Sequence, residues 1–80
     1  MVVIAYDILD DKRLREVAKY MEKNGFRSQR SVFELDVKMT EAKKIFNGLK
    51  KIIKKEDKCF LFEIKDKIDL QVNTSIERIF

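Results

Sequence analysis

The chain has 80 residues, 45% hydrophobic and 40% charged, with two glycines, no proline and a net charge of +4. That length holds one domain, the composition argues against disorder, and a lone cysteine excludes an internal disulfide. The absence of histidine removes Ser-His-Asp, Cys-His and paired-histidine ribonuclease machinery, together with the usual zinc ligand sets.

Residues 2–9, VVIAYDIL, are almost continuously apolar and rich in β-branched and aromatic side chains, which predicts a strand buried on both faces. Asp10 is placed to cap a helix from Asp11 to Asn24, whose Leu14, Val17, Ala18 and Met21 line one face. Gly25 suits a left-handed residue closing that helix. Phe26 to Val37 has strand character, with Phe33, Leu35 and Val37 on one side and Glu34 and Asp36 on the other. It is one long strand, or two antiparallel strands divided around a tight turn in the polar run Arg27 to Ser31. Thr40 offers an N-cap to a second helix, with Ala42, Ile45, Phe46, Leu49 and Ile53 as its buried stripe and Gly48 weakening it slightly. Lys58 to Lys65 predicts a further strand with Phe60, Phe62 and Ile64 on one face, and Ile68 to Phe80 carries a weaker apolar pattern.

This order predicts an α+β domain of the ferredoxin-like β-α-β-β-α-β kind over residues 1–80, two helices covering one face of an antiparallel sheet, with a C-terminal extra strand. The other sheet face is then bare. A second copy related by a two-fold axis is its simplest cover, which predicts a homodimer, and segment 66–80 is expected to pair with the partner's sheet. The N-terminus shows neither a basic region nor a long apolar run, so the expected localisation is cytoplasmic, with no membrane contact.

Asp7 stands inside the first apolar run, where a carboxylate is costly unless it has a partner or a cation. Two readings stay open. With Asp10 and Asp11 nearby, it belongs to ordinary turn and capping chemistry; or two copies of it meet at the axis of a dimer and form a carboxylate pair. Such a pair suits Mg2+, which takes oxygen ligands and keeps several waters. Cys59 reads as a small core or surface residue rather than a nucleophile. Lys50, Lys51, Lys54, Lys55 and Lys58 are the solvated back of a helix or a phosphate-binding ridge. Arg27 and Arg30 are better placed to grip phosphates of RNA or DNA, although pairing with Glu34 or Asp36 is the structural alternative.

The string Ala5-Tyr6-Asp7-Ile8 with Asp10-Asp11, followed by Gly25-Phe26-Arg27-Ser28-Gln29-Arg30-Ser31-Val32-Phe33-Glu34, resembles the second CRISPR-associated adaptation protein family over residues 2 to about 65. The resemblance implies a ferredoxin-like homodimer, a magnesium-dependent endonuclease activity on RNA or DNA, and a part in spacer acquisition beside a partner integrase. It also implies that Asp7 is the metal ligand and catalytic residue, that Arg27 matches the family's arginine, and that Tyr6 and Phe33 support the site. Arg13 and Arg15 have no clean counterpart in the family's first helix. The alternative function is a non-catalytic dimeric scaffold that binds duplex DNA and bridges integrase subunits.

Overall fold

The computed structural model describes residues 1–64. In chain order these form β1 (Val2–Asp7), α1 (Asp11–Glu22), β2 (Phe26–Gln29), β3 (Val32–Leu35), α2 (Met39–Lys50) and β4 (Lys58–Glu63). The strands make one antiparallel sheet in the order β2-β3-β1-β4, so each helix is the crossover of a β-α-β unit whose strands flank an antiparallel neighbour. This is the α+β, ferredoxin-like arrangement expected from the element order. The extra strand over 66–80 and its pairing with a partner lie outside the described residues.

β1 is central, which explains why it is apolar on both sides. Val2, Ile4 and Tyr6 point into the core beneath the helices, while Val3, on the opposite face between Glu34 and Phe62 in register, is only 3% exposed. The strand ends at Asp7, two residues earlier than the sequence pattern suggests. Ile8 still turns into the core, but Leu9 is 68% exposed and its N–H leaves the ladder for the Asp57 carboxylate.

Asp10 caps α1 as expected, its side chain accepting from the Arg13 N–H at 2.9 Å. The helix stops at Glu22, with Lys23 as C-cap, and the N–H groups of Asn24 and Gly25 both donate to the Met21 carbonyl. Gly25 is not left-handed: no described residue has positive φ. Its small size serves a close approach instead, since a Cβ there would lie 2.7 Å from the Glu34 carbonyl oxygen. The polar run does divide the hairpin, with Arg30 and Ser31 as the turn. A register shift lies between Arg27 and Gln29, an irregularity of the kind that increases local strand twist.

Thr40 is not the cap of α2. Lys38 holds that position without a side-chain cap bond, and Thr40 lies in the first turn. The helix starts early because Met39 already packs against the core, ahead of buried Ala42, Ile45 and Leu49. Phe46 packs beside them, whereas Ile53 follows the helix end and reaches the core from the turn. Gly48 has a packing reason. A Cβ there would strike the Tyr20 hydroxyl, which donates to the Ile45 carbonyl at 2.7 Å and ties α1 to α2.

Phe60 and Phe62 do share a face, and it is the open one: they are 46% and 42% exposed and stack on each other at 6.2 Å. Cys59 and Leu61 pack on the helix side. No helix among the described residues is long and apolar enough to cross a membrane.

Candidate functional site

Strand register gathers the polar residues of interest at one end of the sheet. Asp7, last in β1, is the Cα partner of Lys58, first in β4, and the two side chains share the open face. On the other flank the Tyr6 N–H donates to the Ser31 carbonyl at 3.1 Å, which brings the Arg30–Ser31 turn to the same end. Asp7 is exposed, which corrects the expectation of a carboxylate enclosed in an apolar strand. Ending the strand at this residue lets its oxygens reach water, so the cost of burying a charge does not arise. Arg30 and Lys58 are exposed as well.

Arg27 sits differently. Its register with Phe33 puts it on the helix-covered side, with its guanidinium 5.2 Å over the Phe33 ring and 3.7 Å from the Glu22 carboxylate. Glu22 is thus an ion-pair partner that sequence reasoning did not consider. The Arg27 side chain remains 41% exposed at its rim. Phe33 is fully buried and stacks on Tyr6 with centroids 6.2 Å apart, so Tyr6, Phe33 and Arg27 form a continuous layer under the open face.

The Tyr6 hydroxyl is buried and makes no hydrogen bond of good geometry among the described residues. Burial pushes its pKa above the ordinary value, and the nearby Arg27 charge opposes that rise only in part. The phenol therefore keeps its proton in neutral solution and supplies no base. Burial likewise raises the pKa of the half-buried Cys59 thiol, which keeps it from acting as a thiolate.

A residue missed from the sequence organises this end of the molecule. Asp57, with a fully buried side chain, accepts from Arg13 Nε at 2.8 Å, Arg13 Nη2 at 3.2 Å, the Lys54 N–H at 2.9 Å and the Leu9 N–H at 3.3 Å. Arg13 also reaches Glu56 at 3.3 Å. The Arg13 guanidinium, helped by the two backbone donors, holds the Asp57 carboxyl at about 2, below its ordinary 3.8. In the sequence Asp57 is one more acid in a lysine-rich stretch. The only hint was its place immediately before a strand, and its arginine stands 44 residues away. Arg15, by contrast, is exposed on α1.

Among the described residues no group of three or more potential metal ligands comes together. One exposed carboxylate is nonetheless a suitable hard oxygen donor for Mg2+ when water, phosphate or a second carboxylate completes the shell.

A family model described as CRISPR associated protein Cas2 matches residues 1–72. A protein of Synechocystis sp. named CRISPR-associated endoribonuclease Cas2 3 is 37% identical over 62 residues, 78% of this chain and 67% of its own length. One of the same name from Chloroflexus aurantiacus is 45% identical over 51 residues, 64% of this chain and 55% of its own. This chain thus spans about half to two thirds of these two relatives. Among solved structures, Streptococcus pyogenes Cas2 at pH 6.5 superposes with a TM-score of 0.72 at 32% identity, covering 88% of this chain and 92% of that one. A hypothetical protein from Thermus thermophilus shares the fold, with a TM-score of 0.75 at 24% identity over 81% of this chain and 80% of its own. The extent of the family match and the agreement in fold and sequence with a solved member lead to one conclusion: the chain belongs to the Cas2 family of CRISPR-associated proteins.

Proposed function

We propose that a homodimer of this chain is a magnesium-dependent endonuclease acting on RNA or DNA phosphodiesters, at work in spacer acquisition beside a partner integrase. The observation that carries the reading is the exposed Asp7 at the end of β1, on the sheet face that bears Phe60 and Phe62. Relatives named endoribonucleases support the choice of a phosphodiester substrate. Asp7 would hold the cation. When bound, Mg2+ supplies a Lewis acid and an acidified water at the scissile phosphate. Lys58 and Arg30, at the same end of the sheet, offset phosphate charge and hold the backbone of the nucleic acid. Arg27 contributes from the rim, its plane fixed by Phe33 and its charge partly engaged by Glu22. Phosphate contacts of this kind carry no base information, so cleavage is expected to depend weakly on sequence.

The test is cleavage by highly purified protein with and without magnesium. Asp7→Asn should lower the rate by at least about 100-fold while the dimer stays folded, in line with the loss of a group acting on the reacting atoms. Undiminished cleavage would contradict the reading. A second reading rests on a separate observation: Lys43, Lys44, Lys50, Lys51, Lys54 and Lys55 are all exposed on or after α2, a surface able to hold duplex DNA without chemistry. Under that scaffold reading Asp7→Asn supports spacer acquisition at the wild-type level.

A further inference from the structure

The carboxylate of Asp57 receives donors from three separate segments: Leu9 in the loop after β1, Arg13 in the first turns of α1, and Lys54 in the connection from α2 to β4. Asp7 is flanked by Lys58, its partner in register, which adjoins Asp57 in the chain, and by the Leu9 segment that Asp57 holds. Ile8 anchors the start of this loop in the core, and beyond it Leu9, whose side chain is largely exposed, is held by the polar bond from its N–H to Asp57. A buried ion pair is a poor way to gain stability, because desolvation cancels much of the attraction. It is a good way to fix geometry, because an arginine fork and a carboxylate meet in one arrangement.

We propose that Asp57, clamped by Arg13, is the positioning residue for Asp7: it sets where the β1 end and its carboxylate stand relative to the phosphate to be cut. This inference rests on the nuclease reading above. Held groups of this kind matter because a displacement of about 1 Å at a reacting centre costs on the order of 100-fold in rate.

The experiment compares wild type, Asp57→Asn and Arg13→Lys, each alone and combined with Asp7→Asn. Mn2+ titration is followed by paramagnetic broadening of the Asp7 amide, and turnover is resolved into kcat and KM. Asp57→Asn keeps shape and an acceptor oxygen, and Arg13→Lys keeps the charge, so at least the milder lysine variant retains a cooperative unfolding transition. The expected result is Mn2+ affinity weaker by roughly 10–100-fold, as for other supports of metal ligands, and kcat lower by a similar factor with KM little changed. Combination with Asp7→Asn should add no further loss, because the pair acts through Asp7. Full Mn2+ affinity and kcat in the folded variants, or losses that add to that of Asp7→Asn, would overturn the inference and leave the nuclease reading intact. A wild-type protein that neither cuts nor binds Mn2+ at Asp7 would instead overturn the nuclease reading, and this inference with it.

Discussion

At Gly25 a Cβ would lie 2.7 Å from the Glu34 carbonyl oxygen and 3.2 Å from the Leu35 Cγ, and a strand backbone cannot yield as a long side chain does. Gly25→Ala is therefore expected to destabilise the protein by about 1–3 kcal/mol, the usual range for overpacking. Urea denaturation would read this as a lower midpoint at constant slope, and an unchanged midpoint would contradict it. The sequence marked Gly25 as a helix terminator but assigned it the wrong reason, because an interatomic distance across the sheet has no trace in local pattern. Asp7 was legible as a residue of interest because a charge stands out in an apolar run. Its exposure was not, since it follows from where β1 ends, and the chain just beyond is met by Asp57, 48 residues from the Leu9 N–H it captures. Arg27 was legible as a cation beside a strand, whereas its seat between Phe33 and Glu22 needed the register of β2 on β3.

Among the elements, those with strong periodicity were readable in kind and order, and their ends were not. The stripe of α2 was correct at Ala42, Ile45 and Leu49, yet Met39 starts the helix one residue before the proposed cap and Ile53 lies past its end. Met39 packs against the core at the N-terminal limit, and Ile53 reaches the core from the turn past the C-terminal one. The connections are held by polar groups, and here pH enters. The Asp57 carboxyl titrates near 2 in the folded protein against an ordinary 3.8, so between those values the unfolded chain binds more protons. Its contribution to stability is whole above the unfolded value and is lost as pH falls through the folded one. Asp57→Asn should accordingly be less stable than wild type at neutral pH, with the gap narrowing as pH drops from about 5 to about 2. Urea midpoints across that range check this, and a gap independent of pH would count against the Arg13 pairing as its source.

For the whole molecule the open sheet face is the decisive feature. Among the described residues Phe60 and Phe62 stack there, each a little under half exposed, and Phe26 on β2 is 66% exposed. A small domain with aromatic side chains on a bare sheet face has reason to bury them against a copy of itself. In the proposed dimer the two Asp7 residues would stand near a shared axis, the step on which the catalytic account turns. The most direct test is the stoichiometry of Mn2+ bound to protein whose mass has been fixed by sedimentation. The account predicts a dimer that takes one ion per two chains and loses it in Asp7→Asn. A monomer, one ion per chain, or binding unaffected by Asp7→Asn would contradict it.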